Sequence, residues 1–250
     1  MNFVNLHKKT MKNKILLFSL VAIILSSCTK DQEPNVTNLI INFTQTIQNE
    51  DLYLGTFSYM NTQEQEYSVD RLWYIMSNIT LHTENGNNII IKDAHFIDVE
   101  NPNTLTLVID DLENNNYTAI SYTMGLDSNQ NISNLYLNED FHTKMFWPEP
   151  MGGGYHYMKL EGNFNNETTF YNTHTGGTMG MDFSFSNTDS ISLITDENTE
   201  KIELSINMEI ANWYKGLYSI ALSNEGIMGN TDIQAQLKAN GANVFTTTTN

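Results

Sequence analysis

From Lys201 to Ile210 the chain alternates without a fault: Ile202, Leu204, Ile206, Met208 and Ile210 are interleaved with Lys201, Glu203, Ser205, Asn207 and Glu209. Successive side chains of a strand point to opposite faces, so this segment makes a ribbon with one dry face and one wet face. A helix would scatter the same apolar residues around its circumference. The alternation recurs at Leu39, Ile41 and Phe43, at Leu105, Leu107 and Ile109, and through Thr118 to Met124. Trp73, Ile75, Ile79 and Leu81 share one parity and run into the turn Glu84-Asn-Gly-Asn-Asn88 before Ile89 to Ile91. Only Thr231 to Ala239 reads as a helix. Strands of this kind, joined by Asn, Gly and Asp turns, pack as antiparallel sheets around one core. The expected fold is all-β, a barrel-like antiparallel sandwich with at most one or two short helices.

The N-terminus reads as an export signal. Lys8, Lys9, Lys12 and Lys14 precede an apolar run, Ile15 to Leu25, which is shorter than the roughly 20 residues of a membrane span. Leu25-Ser-Ser-Cys28 then resembles a bacterial lipobox, whose cysteine takes the lipid. The expected organisation is a signal peptide over 1–27, a polar linker over 28–37 after lipidated Cys28, and one β domain over 38–250. Thr29-Lys-Asp-Gln-Glu33 resembles the Lys-plus-acidic tag of Bacteroidetes surface lipoproteins, which implies an outer-membrane lipoprotein of the cell envelope, periplasmic or surface-facing. Cys28 is the only cysteine, so the domain can hold neither an internal disulfide nor a thiolate-bound metal. The formal charge is −17, and loss of the signal lysines makes it more negative. Such a field repels phosphates and excludes nucleic acid as a partner.

The chemistry gathers in Met145-Phe-Trp-Pro-Glu-Pro-Met-Gly-Gly-Gly-Tyr-His-Tyr-Met-Lys-Leu-Glu-Gly162 and His174-Thr-Gly-Gly177. Thioethers beside imidazoles suit copper, above all Cu(I), better than oxygen-seeking calcium or magnesium. On a strand from Gly154 to Phe164, His156 and Met158 fall on the same face as Leu160. Asn165-Asn-Glu167 is a plausible hairpin loop. Pairing centred on Asn166 sets Met158 opposite His174, with Cβ atoms about 4.5–5.5 Å apart, and makes His156 the diagonal neighbour. A slip of one residue would turn His174 to the other face. Pro148 and Pro150 stiffen the segment after Trp147, while Gly152 to Gly154 free the backbone beyond it. The candidate metal ligands are therefore His156, His174, Met158 and Met145, with Trp147 closing the site.

Met145-Phe-Trp147, Gly153-Gly-Tyr155, Lys159-Leu-Glu-Gly162 and His174-Thr-Gly176 resemble the core signature of the MbnP-like copper-binding proteins, periplasmic partners associated with methanobactin. Leu72-Trp-Tyr-Ile-Met-Ser-Asn-Ile79, Met124-Gly-Leu-Asp127, Met208-Glu-Ile-Ala-Asn-Trp-Tyr214 and Leu237 to Phe245 are similar to further segments of that family. The resemblance implies bound copper, Cu(I) or Cu(II), with His156 and His174 as ligands. It also implies a Trp147 that a partner oxidase can convert to kynurenine. Many members carry a second tryptophan two residues later, where this chain has Glu149.

Other motifs lead elsewhere or nowhere. Asp127-Ser-Asn-Gln-Asn131 lacks the glycine and glutamate of a calcium loop and reads as a turn. There is no Walker loop, nucleophile elbow or Cys-x-x-Cys. The expectation is a lipid-anchored, non-enzymatic protein that captures or stores copper, meeting a partner oxidase or transporter. The alternative is a metal-free surface module for glycan, peptide or a partner protein, with Trp213, Tyr214 and Tyr136 as an exposed aromatic platform.

Overall fold

A computed structural model describes residues 37–249. The signal segment, Cys28 and the linker as far as residue 36 lie outside them. The long strands are β1 (Thr37–Ile47), β2 (Arg71–Thr83), β3 (Asn88–Asp98), β4 (Thr106–Leu112) and β5 (Asn116–Met124). They continue with β6 (His156–Asn163), β7 (Phe170–Gly176), β8 (Phe185–Ile194), β9 (Lys201–Glu209) and β10 (Phe245–Thr249). Among the described residues the one α-helix, α1 (Thr231–Asn240), is capped by Asn230, whose side chain accepts from the backbone N–H groups of Asp232 and Ile233.

Two sheets face each other, as the alternation predicts. One runs β10–β9–β1–β4; the other runs β7–β6–β2–β5–β8, with β3 along the opposite edge of β2. Leu39, Ile41 and Phe43 of β1 meet Leu204, Ile206 and Met208 of β9 on the first sheet's inner face. The second sheet offers Leu72, Tyr74, Ile120, Tyr122, Met158 and Leu160 to the same core. Each such side chain contributes about 1.5–3 kcal/mol by leaving water. The β1–β9 pair is parallel, although every other pair of long strands is antiparallel. No hairpin joins these two strands, so turn geometry places no constraint on their direction.

Strand β2 departs from the single parity read in its sequence. Leu72, Tyr74 and Met76 face the main core, and so do Ile79 and Leu81, whereas Ile75 packs on the outer face with Trp73 beside it. The switch falls at Asn78, whose φ of 52° is left-handed; the pairing of β2 with β5 shifts between Ser77 and Thr80, and that with β3 between Ile79 and Thr80. Such a bulge moves everything beyond it to the opposite face. Asn78 is held by loop 127–131: its Nδ2 donates to Asp127 Oδ2 and its Oδ1 accepts from Gln130 Nε2. The calcium-like motif is thus an Asx turn, with Asp127 Oδ1 accepting from Asn129 and Gln130.

The bulge exposes a second hydrophobic surface, which the chain between β5 and β6 covers. Leu126, Phe141, Met145 and Tyr155 of that segment pack with Ile75, Ala94 and Tyr157 on the outer face of the second sheet. A connection of this length without long strands is uncommon unless it builds a site. The proposed aromatic platform does not form. Trp213 and Tyr214 lie in the main core, only 1% and 2% exposed, because the turn after β9 folds them inward, and Tyr136 packs on Phe141 and Tyr155.

Candidate metal centre

The hairpin of β6 and β7 builds the centre. Its loop is held by Asn166, whose Oδ1 accepts from the backbone N–H groups of Thr168 and Thr169. The strands pair Asn163 with Phe170, Lys159 with His174 and Met158 with Thr175. This is one residue away from a pairing centred on Asn166. Met158 consequently does not face His174; it is fully buried in the main core. His174 lies on the outer face with Lys159 and Glu161.

A second irregularity restores the meeting of the imidazoles. The register breaks between Thr175 and Gly176, so that Gly176 pairs with His156 and β6 carries an extra residue. Opposite Gly176, His156 becomes the diagonal neighbour of His174 on one face. The two rings stand 5.0 Å apart between centroids, with their planes at 84°. The slip and the bulge cancel where it matters.

Trp147 closes the arrangement. Residues 145–147 run beside the start of β6: His156 N donates to Met145 O, Trp147 N donates to Gly154 O, and Phe146 bridges to Tyr155. The Trp147 indole is fully buried, 4.7 Å from the His156 ring and edge-to-face with it. It rests on the backbone of Gly176, where a Cβ would fall 2.6 Å from Trp147 Cε3. Gly176→Ala should therefore destabilise the protein by about 1–3 kcal/mol through overpacking and alter Trp147 fluorescence. Urea unfolding monitored by that fluorescence measures both, and an unchanged midpoint would contradict the stated contact.

His156 is 4% exposed. Its Nδ1 lies 3.2 Å from Met145 O, and its Nε2 is buried with no hydrogen-bond partner. Burial, reinforced by Lys159 and His174, pushes its pKa down to about 3. The ring is thus neutral at neutral pH. With Nδ1–H donating to the carbonyl, the lone pair of Nε2 is left free. Met145 enters the site through this carbonyl, while its side chain belongs to the cluster on the outer face of the sheet.

His174 is held differently. Its Nε2 lies 2.7 Å from Glu161 Oε1, and Glu161 Oε2 accepts from Arg71 Nη1 at 2.7 Å. His174 first, and then Arg71, hold the Glu161 carboxyl below its ordinary range. This leaves Nδ1 as the His174 nitrogen that Glu161 does not engage. Behind the strand, Gln234 of α1 is almost fully buried, donates Nε2 to His174 O and accepts from Gly176 N. It clamps the strand end that carries the site. The sequence alone assigns no site role to Glu161, Arg71 or Gln234. Only the shared parity of Lys159 and Glu161 hinted at an outer polar face, since Arg71 and Gln234 are remote along the chain.

Among the described residues, no group of three or more His, Cys, Asp or Glu side chains is placed to hold a metal. The structure brings together His156, His174 and Trp147. Two imidazoles beside an indole, one of them already desolvated and with an unpartnered nitrogen, suit a soft or borderline ion with few ligands rather than calcium or magnesium. Imidazole nitrogens bind such ions at about 2.0–2.1 Å, as in zinc sites, a reach compatible with rings this close.

The family model for MbnP matches residues 36–233, a span that includes Trp147, His156, Glu161 and His174. A search of curated proteins gives no match. Among solved structures, MbnP from Methylosinus trichosporium resembles the chain with a TM-score of 0.53 at 10% identity, over 85% of this chain and 98% of that one. At that identity the likeness concerns the fold. The family model spans most of the chain, both residues of the imidazole pair and the tryptophan against them, and the chain belongs to the MbnP family.

Proposed function

We propose that this protein is a lipid-anchored copper-binding protein of the bacterial cell envelope, which captures or stores the metal without catalysing a reaction. One observation carries the reading: His156 Nε2 is buried without a partner beside the ring of His174. An unpartnered polar atom in the interior costs about 1–3 kcal/mol, and a bound metal would remove that cost. His156 through Nε2 and His174 through Nδ1 would hold copper, which supplies a soft Lewis-acid centre of two accessible oxidation states. The Met145 carbonyl and the Glu161 carboxylate orient the two rings and raise their basicity, the usual role of such outer partners. Trp147 excludes water. It is also the residue that a partner oxidase would modify, and an oxidase or transporter is the partner class of this reading.

The test is an anaerobic Cu(I) titration of the purified protein, competed with bicinchoninate, in a Cys28→Ser background that removes the lone thiol. Saturable binding at the imidazole pair is expected, and its absence would refute the reading. Glu161→Gln should weaken that binding by about 10–100-fold while leaving the fold intact. Equal affinity would show that the Glu161–His174 contact does not serve the metal.

A further inference from the structure

We infer that Met151, Met179 and Met181 form a second, solvent-facing thioether site for Cu(I) beside the loop that follows Trp147. The inference rests on the copper reading above and adds an outer site to the inner one. Three observations lead to it.

The first is conformational. Thr178 and Met181 form an isolated antiparallel bridge closed by Met179 and Gly180, with φ of 52° and 78°. A two-residue turn with both central residues left-handed favours Asn-Gly or Asp-Gly, because a side chain at the first position is strained unless it is Asn or Asp. Here that position carries a methionine, 60% exposed, and Met181 after the turn is 51% exposed. Neither packs as core filler, the usual reason for methionine. A residue held in an unfavourable backbone region, without a packing return, points to a use for its side chain.

The second is convergence. Met179 N donates to Met151 O at 2.9 Å, so the turn is tied to the loop that follows Trp147. Gly152 supplies the turn of the chain at this junction, with a φ of 128° that L side chains rarely adopt. Two segments that carry three thioethers, each on a flexible stem, are thereby joined through their backbones.

The third is position. A cleft of about 170 Å³ is lined by Gly152, Gly153, Tyr157, Gly177, Met181 and Asp182 among others. Gly177 follows the glycine beneath Trp147, and Tyr157 follows His156. Met181 thus borders an open cleft whose walls are chain neighbours of the residues that build the buried pair. Thioethers are uncharged and soft, and they select Cu(I) over the hard cations that an acidic surface would otherwise collect. Ligands without protons also remain competent where imidazole is protonated.

The test uses the full chain with Cys28→Ser and ¹³C-methyl-labelled methionine, titrated with Ag(I), a redox-inert stand-in for Cu(I). The methyl signals of Met151, Met179 and Met181 should shift together, while fully buried Met158 stays still. The same shifts should persist in His156→Ala/His174→Ala, which separates this site from the inner one. Met151→Leu/Met179→Leu/Met181→Leu, nearly isosteric and mainly exposed, should lose the second Ag(I) equivalent and retain the imidazole-bound one. Unmoved methyl signals, or undiminished Ag(I) stoichiometry in the triple variant, would overturn the inference. Shifts at the three methyls with silent histidine rings would keep the outer site and defeat the copper reading of the pair instead.

Discussion

The Cys28→Ser protein carrying His156→Ala and His174→Ala is expected to leave a desalting column with no more copper at the inner centre than a buffer blank, while its parent retains a stoichiometric amount. Ligand count decides the outcome. Among the described residues no third His, Cys, Asp or Glu side chain completes a metal set, so the two imidazoles carry the binding. Either single substitution should remove most of it, because the lone remaining nitrogen lacks the partner that makes retention possible. His174→Asn is the milder probe, since the His174 side chain is 14% exposed and its loss leaves Glu161 paired with Arg71. His156→Ala removes a buried ring and leaves a cavity, so circular dichroism of each variant should be compared with the parent. Copper retained by a folded double variant at the parental level would end the assignment.

Acid should weaken the metal-free protein markedly, with His156 as a principal cause. Its folded pKa is about 3, against the ordinary 6.5. Between those values the unfolded chain binds a proton here that the folded chain does not, so unfolding becomes easier as the pH falls. Above the ordinary value neither state is protonated at this ring, and the effect vanishes. At about pH 4.5 this one group should cost about 3 kcal/mol, from 1.36 kcal/mol per unit of separation. Glu161 acts in the same direction at lower pH, because its depressed pKa supplies stability that is lost as the carboxylate protonates. Urea midpoints at neutral pH and at about pH 4.5 measure the sum. Comparison with His156→Leu isolates the histidine, since leucine fills similar space without a titrating group. If both proteins lose equal stability on acidification, His156 is not held neutral by burial as described.

The strands were legible wherever one face met water. Strand β9 shows its pattern in full because Lys201, Glu203, Ser205 and Asn207 border solvent on the face opposite the core. Strand β2 did not, because a loop covers its outer face and Ile75 is fully buried there. When both faces are dry, period-two reading loses its contrast, and a bulge such as that at Asn78 passes unseen. The aromatic pair Trp213 and Tyr214 illustrates a related failure. Composition allows such residues at a surface or in a core, and only the packing of the turn after β9 places them inside.

Local chemistry and alternation alone thus determined the β architecture, the helix near the C-terminus, and the short list of residues from which a soft-metal site can be built. Tertiary structure decided which of them meet. His156 and His174 share a space because a one-residue slip in the hairpin is compensated by a bulge at Gly176, and Met158 is lost to the core by the same slip. Register depends on the summed packing of both faces and on contacts as remote as Gln234 and Arg71. No window of sequence contains those terms, whereas the alternation of a half-wet strand is written within it.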